Sequence, residues 1–128
     1  MISIKETILL VEDEDAVRNI VLRVLNRAGY TVLTATNGQG ALGLLQNQPE
    51  TRIDLLITDM IMPQMGGSAL AGQLKTIYPE AKVLFISGYI YDVGDEPALG
   101  TAGYSFLAKP FTPQLLIEKV QEILAKEV

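Results

Sequence analysis

Five short apolar runs, separated by segments of helical or loop character, constrain the fold of this chain more than any other feature. The runs are TILLV (Thr7–Val11), TVLTA (Thr31–Ala35), DLLIT (Asp54–Thr58), KVLFI (Lys82–Ile86) and YSFLA (Tyr104–Ala108). Most are apolar along nearly their whole length rather than at alternate positions, which predicts strands that are buried on both faces. Such strands are typical of a parallel sheet covered by helices, and the alternation of strand and helix indicates an α/β fold.

Helical periodicity fills three of the intervals and the C-terminal stretch. We predict helices over Ala16–Gly29 and Gly38–Gln48, a third between Gly66 and Pro79, and a last one with Thr112 as N-cap and Pro113 at its first position. The first helix carries an apolar stripe that we expect to face the core. The stripe comprises Val17, Ile20, Val21, Val24, Leu25 and Ala28, and it leaves Leu22 outside.

The interval between the fourth and fifth strands, residues 88–103, departs from this pattern. It contains four glycines, Pro97 and little periodicity, so we predict a mostly irregular loop with a stunted helix. No linker, internal repeat or low-complexity tract divides the 128 residues, a length that suits one domain. We therefore expect a single domain over 1–128, in which residues 1–5 form a short tail.

Composition excludes several kinds of chemistry. The chain has no cysteine and no histidine, which rules out disulfides, thiolate nucleophiles, Ser-His-Asp triads and imidazole-bound metals. Oxygen ligands alone favour a hard cation such as Mg²⁺. A net charge of −5 argues against nucleic acid as a main partner, and no apolar run approaches the ~18 residues of a membrane span. We expect a cytoplasmic domain without membrane contact.

Polar residues follow four of the five predicted strands. Glu12 and Asp13 follow the first, Asp59 the third, Ser87 the fourth and Lys109 the fifth. In doubly wound sheets, sites lie beyond the carboxyl ends of the strands. If the strands are ordered 2-1-3-4-5, three carboxylates, a hydroxyl and an ammonium meet on one rim.

Four segments resemble the signature segments of bacterial response-regulator receiver domains. They are ILLVEDE, LLITDMIMPQMGG, VLFISGY and FLAKPF, and they occur in the family's order over essentially the whole chain from about Glu6. The resemblance, rather than composition or periodicity, implies a flavodoxin-like five-stranded sheet in the order 2-1-3-4-5. FISGY and the Gly/Pro-rich loop after it are similar to receivers attached to hybrid sensor histidine kinases. A free-standing receiver is the competing possibility.

The resemblance implies that Asp59 accepts a phosphoryl group from the phosphohistidine of a histidine kinase or a histidine phosphotransfer domain. Mg²⁺ would be held by the side chains of Asp13 and Asp59, by Glu12 through a water, and by the main-chain carbonyl of Ile61. It also implies a signalling domain rather than an enzyme. The family's first helix contributes to kinase docking, which makes Leu22 a candidate partner contact.

Four further expectations come from the same resemblance. Lys109 would pair with the carboxylate of Asp59 and later with a phosphate oxygen. The hydroxyl of Ser87 would hydrogen-bond the new phosphate, and Phe106 would report that movement through its rotamer. The Lys109–Pro110 bond is a candidate cis peptide, because X–Pro bonds reach cis more easily than other peptide bonds.

Three alternative functions would each require or allow a different sequence at these positions. An aspartyl-nucleophile phosphatase should show D-x-D at the nucleophile, but Met60 and Ile61 follow Asp59. A flavodoxin-like cofactor binder should have a Ser/Thr/Gly-rich loop after the first strand, whereas EDED (Glu12–Asp15) would repel a phosphate. A silent receiver that serves only as a docking module stays open.

Glu14 and Asp15 are interpreted as ordinary acids at a helix N-terminus.

Overall fold

The computed structural model describes residues 6–47, 51–60, 65–87 and 104–125, and five parallel strands form a single sheet. The strands are β1 (Thr7–Val11), β2 (Thr31–Ala35), β3 (Leu55–Asp59), β4 (Lys82–Ser87) and β5 (Tyr104–Ala108). They lie in the order β2-β1-β3-β4-β5, and each neighbouring pair is parallel. The predicted doubly wound architecture is confirmed.

Within the described residues, four helices accompany the sheet: α1 (Asp15–Arg27), α2 (Gly38–Asn47), α3 (Gly67–Ile77) and α4 (Pro113–Ala125). The start of α4 is capped as predicted, because the backbone N–H of Leu115 donates to the hydroxyl of Thr112 at 3.1 Å. The predicted tail, residues 1–5, and the predicted irregular segment, residues 88–103, lie outside the described residues. Among the described helices, none combines the length and apolar character needed to cross a membrane.

Two apolar clusters cover the two faces of the sheet. On one face, α1 and α4 pack on side chains such as Ile8, Ile57 and Ile86. On the other, α2 and α3 pack on side chains such as Leu9, Leu56 and Phe85. Successive residues of β1, β3 and β4 therefore point alternately into the two clusters, and the residues on both faces are buried. This is the physical reason for the continuous apolar runs in the sequence.

The apolar stripe of α1 differs from the prediction. Ile20 was expected to face the core, but it is 57% exposed, whereas Leu22 is half-buried and packs against the core cluster. The helix is rotated so that the side carrying Arg18 and Leu22 turns inward. Arg18 donates from Nη1 to the main-chain carbonyl of Glu12 at 2.9 Å, which favours this rotation.

Candidate functional site

The carboxyl ends of β1 and β3 place two acidic residues side by side. Asp59 is the last residue of β3, a strand whose five residues are all buried, and it is itself 9% exposed. Glu12 directly follows β1, and its backbone N–H donates to the carbonyl of Ala35 at 3.1 Å. Both side chains therefore start from backbone that is fixed by the sheet.

Three carboxylates meet at this edge. Glu12, Asp13 and Asp59 each offer one oxygen, and these oxygens all lie within 4.8 Å of one another. The side chain of Glu12 is fully buried and Asp13 is exposed, so the cluster reaches from the sheet to the surface. Carboxylates this close repel each other unless a positive charge lies between them.

Lys109, which follows β5, supplies a positive charge. Its Nζ lies 2.9 Å from Oδ2 of Asp59, 3.3 Å from Oε1 of Glu12 and 3.8 Å from Oε1 of Glu14. Only 19% of the lysine side chain is exposed, so water screens these ion pairs weakly. The peptide bond between Lys109 and Pro110 is cis.

Burial and pairing act against each other on the two most enclosed charges. Burial raises the pKa of the Glu12 carboxyl, although the N–H of Glu14 and the charge of Lys109 act in the opposite direction. Burial alone would lower the pKa of Lys109, but the hydrogen bond and charge of Asp59, with the charge of Glu12, raise it overall. Lys109 is therefore held protonated. The ionised form of Glu12 is destabilised by its burial.

The site fits a hard divalent cation. Oε1 of Glu12 is buried and has no hydrogen-bond partner among the described residues, although Lys109 is at ion-pair distance. Buried polar atoms are nearly always partnered, so this oxygen is suited to a further positive ligand. Glu12, Asp13 and Asp59 provide only oxygens, which Mg²⁺ prefers.

The other predicted site residues are described only in part. Ser87 ends β4 and pairs with Ala108 in the sheet, but its side chain lies outside the described residues, as does Ile61. Phe106 lies opposite Phe85 and packs, half-buried, against the cluster that α2 and α3 cover. The structure thus brings Glu12, Asp13, Asp59 and Lys109 together and leaves Ser87 and Ile61 unassigned.

Two residues of the site were missed in the sequence. Glu14 is the N-cap residue of α1, yet its side chain makes no capping hydrogen bond and extends to Lys109 instead. Gly67 begins α3 so close to β3 that a Cβ atom there would lie 2.3 Å from the carbonyl oxygen of Asp59. Its position eight residues after Asp59 carries no local signal, because the contact depends on how α3 meets the sheet.

A 2-1-3-4-5 parallel sheet with acids and a lysine at its carboxyl edge defines a doubly wound α/β protein with its site at the strand ends. Residues 8–121 match the family model described as the response regulator receiver domain. The chain belongs to this family, whose members are signalling domains of two-component systems.

Individual relatives agree with this assignment. The chain is 39% identical over 121 residues to the sensor kinase CckA of Brucella abortus, spanning 94% of this chain and 13% of that protein. It is 33% identical to the response regulator receiver protein CpdR of the same organism, spanning 91% of this chain and 95% of CpdR. The chain therefore matches a small part of one relative, a sensor kinase, and nearly the whole of another, a receiver protein of similar length.

Solved structures show the same fold. The receiver domain of the hybrid histidine kinase CckA superposes with a TM-score of 0.77 at 41% identity, covering 92% of this chain and 98% of that one. The chemotaxis response regulator CheY4 of Vibrio cholerae gives a TM-score of 0.80 at 28% identity, covering 94% and 99%. The resemblance to receivers of hybrid kinases is therefore confirmed.

Proposed function

We propose that this chain is a single receiver domain over residues 1–128 and that it accepts a phosphoryl group on Asp59 in a Mg²⁺-dependent reaction. The donor is the phosphohistidine of a histidine kinase or a histidine phosphotransfer domain. The observation that carries the proposal is the Lys109–Asp59 ion pair of 2.9 Å beside the Glu12–Asp13–Asp59 cluster. This pair supports a nucleophilic carboxylate that is buried, fixed and ionised.

The chemistry follows from the position of the carboxylate. An oxygen of Asp59 forms a bond to phosphorus, the P–N bond of the phosphohistidine breaks, and the electron pair stays on the imidazole nitrogen. Phosphoryl transfer depends mainly on positioning and on neutralising charge. Asp59 is the last residue of the buried strand β3. Lys109 pairs with its carboxylate and would pair with a phosphate oxygen after the transfer.

Three acids alone would repel an incoming phosphoryl group, so a cation is part of the proposal. Mg²⁺ would be held by Asp13 and Asp59, by Glu12 through a water, and by the carbonyl of Ile61. When bound, it supplies neutralisation of the acids and of the phosphoryl oxygens. The buried Oε1 of Glu12, which accepts no hydrogen bond from the described residues and lies 3.3 Å from Nζ of Lys109, supports this assignment.

The response to phosphorylation is proposed from the family. The hydroxyl of Ser87 hydrogen-bonds the new phosphate and draws the end of β4 inward. Phe106 then changes rotamer, because it lies on the strand next to β4 and opposite Phe85. Phe106 is half-buried and packs against the cluster that α2 and α3 cover.

An apolar groove beside Lys109 is the proposed docking surface for the phosphohistidine partner. The groove measures about 440 Å³ and is lined by Val17, Ile20, Val21, Lys109, Pro110 and Phe111. Ile20 leaves 57% of its surface exposed there. A partner helix with an apolar face would cover Ile20 and bring its phosphohistidine to Lys109 in the cytoplasm. Ile20 is added to Leu22 as a candidate contact; Leu22 is half-buried and packs in part against the core.

Acetyl phosphate tests the proposal without a partner. The protein is incubated with acetyl phosphate and Mg²⁺, and its intact mass is measured. We expect the gain of one phosphoryl group in the parent and in the control Glu80→Gln, an exposed acid remote from the cluster in sequence, and no gain in Asp59→Asn or in EDTA. Turnover without a lasting adduct would indicate a phosphatase instead, and neither turnover nor adduct would indicate a silent docking module.

A further inference from the structure

The turn between β1 and α1 carries two of the three clustered acids. Asp13 is exposed, and its carboxylate makes no hydrogen bond or ion pair with any residue that the structure describes. Only its backbone restrains it. Whatever fixes the main chain on either side of Asp13 therefore limits where its carboxylate can lie relative to Glu12 and Asp59.

Two hydrogen bonds bracket this residue. The backbone N–H of Glu14 donates to Oε2 of Glu12 at 3.0 Å, which closes the turn from within. Nη1 of Arg18 donates to the main-chain carbonyl of Glu12 at 2.9 Å. The second arm of the same guanidinium, through Nη2, binds the carboxylate of Asp15. Arg18 thus spans the turn from the residue before Asp13 to the second residue after it.

The environment of Arg18 makes this contact more than a surface ion pair. Its side chain is only 16% exposed, although it starts from the first turns of a surface helix. A guanidinium has donors in a fixed fork, so one side chain can hold two acceptors at a set separation. A lysine has a single donor group on a flexible stem and cannot hold both acceptors in that geometry.

We propose that Arg18 is a positioning residue that holds the turn of Glu12 and Asp13 in the geometry that binds a divalent cation. The proposal rests on the magnesium site described above. It assigns Arg18 no contact with the cation or the phosphoryl group. Its effect passes through the main-chain carbonyl of Glu12 and the backbone of Asp13.

The sign of the effect separates positioning from simple charge. A positive guanidinium close to the acids repels a cation, so removing its charge alone would tighten cation binding. If Arg18 instead holds the turn in place, removing it weakens binding, because the carboxylates must then be ordered when the cation binds. Loss of an outer partner of this kind costs about tenfold in metal affinity.

The experiment compares Arg18→Met, Arg18→Lys and Arg23→Met with the parent. Arg23 is an exposed arginine of the same helix that forms no ion pair among the described residues, so its variant is the matched control. Binding of Mn²⁺ is followed by the electron paramagnetic resonance signal of the free ion, and Mg²⁺ is then added as competitor. Far-UV circular dichroism confirms folding at the temperature used, and Arg18→Lys retains the test if Arg18→Met does not fold.

We expect both Arg18 variants to bind each cation about tenfold more weakly, and Arg23→Met to bind within about twofold of the parent. Autophosphorylation of Arg18→Met with acetyl phosphate should approach the parental rate when Mg²⁺ is raised to saturation, which a general structural defect would not allow. Equal or tighter binding by Arg18→Met would overturn the proposal, and parental affinity in Arg18→Lys would overturn the need for a fork. A parent that binds neither cation would instead reject the proposed magnesium site itself.

Discussion

Nζ of Lys109 lies 2.9 Å from Oδ2 of Asp59, although 50 positions separate the two residues in the chain. The pairing follows from the sheet, because β4 lies between β3 and β5 and the carboxyl ends of all three strands share one edge. Lys109 also lies close to Glu12 and Glu14. One lysine therefore offsets much of the negative charge at this edge, and its removal should affect cation binding and phosphorylation in opposite directions.

Lys109→Met should bind Mg²⁺ severalfold more tightly than the parent, because the competing positive charge is gone. It should accept a phosphoryl group from acetyl phosphate about 100-fold more slowly, because the group that neutralises the phosphate is gone too. Calorimetry of Mg²⁺ binding and the rate of mass gain measure the two effects. Lys119→Met is the control, because Lys119 of α4 pairs with Glu122 and with none of the clustered acids. A parallel fall of affinity and rate would contradict the assigned role.

Gly67→Ala should destabilise the protein by about 1–3 kcal/mol, since the added methyl meets the backbone of Asp59 and Met60 and α3 has to move. The displacement reaches the phosphoacceptor, so phosphorylation should slow as well. Urea unfolding and the acetyl phosphate assay measure the two effects.

The control for this prediction lies in the same helix. A Cβ atom at Gly72 would meet nothing within 4 Å, and the residue is exposed. Gly72→Ala should therefore stabilise the protein by about 0.5–1 kcal/mol and leave phosphorylation unchanged. Equal stability changes in the two variants would show that α3 does not press on β3 at Gly67.

Glu12→Gln should raise the free energy of unfolding at neutral pH in EDTA. Because burial raises the pKa of Glu12 in the folded protein, the folded state keeps this proton to a higher pH than the unfolded chain. The protonated carboxyl thus contributes stability below the ordinary pKa of 4.5, and this contribution is lost as pH rises through the raised value. The gain from glutamine should vanish at the acidic end of a pH series of urea titrations. A gain that is constant with pH would contradict this origin, and saturating Mg²⁺ should reverse the order of the two proteins.

Ile20→Asp should slow phosphotransfer from a phosphohistidine partner by about tenfold, as expected when one well-placed apolar contact is lost from an interface. Its phosphorylation by acetyl phosphate should change much less, because Ile20 lines the groove and is not a member of the acid cluster. Ile77→Asp is the matched control, since Ile77 is 52% exposed but lies at the end of α3, which packs on the other face of the sheet. An equal effect of both substitutions would indicate a general charge effect rather than docking.

Most of the fold was accessible from the sequence because burial on two faces leaves a strong local pattern. The predicted strands fall at or within one residue of the observed ones, and Thr112 caps α4 as its sequence indicates. The rotation of α1 was not accessible. The apolar stripe predicted Ile20 inward and Leu22 outward, which was wrong for Ile20; the hydrogen bond from Arg18 to the main chain of Glu12 favours the side that carries Leu22.

Some residues of the candidate site were likewise predictable from the sequence, and others were not. Glu12, Asp13, Asp59 and Lys109 stand at strand ends, so their convergence follows once the strand order is known. Arg18, Glu14 and Gly67 act through contacts whose geometry depends on the path of a turn or the approach of a helix. No spacing rule predicts these contacts. Glu14 was interpreted as an ordinary acid at a helix N-terminus, whereas the structure places its carboxylate 3.8 Å from Nζ of Lys109.

The two partners of the central ion pair stand on very different supports. Every residue of β3 is buried, whereas every residue of β5, at the border of the sheet, is only half-buried. Asp59 therefore ends a tightly packed central strand, whereas Lys109 follows a less tightly packed edge strand. When the charge at Asp59 changes, we expect β5 and the residues next to it to move more than β3. Phosphorylation at the carboxylate should therefore alter the outer border of the sheet more than its centre.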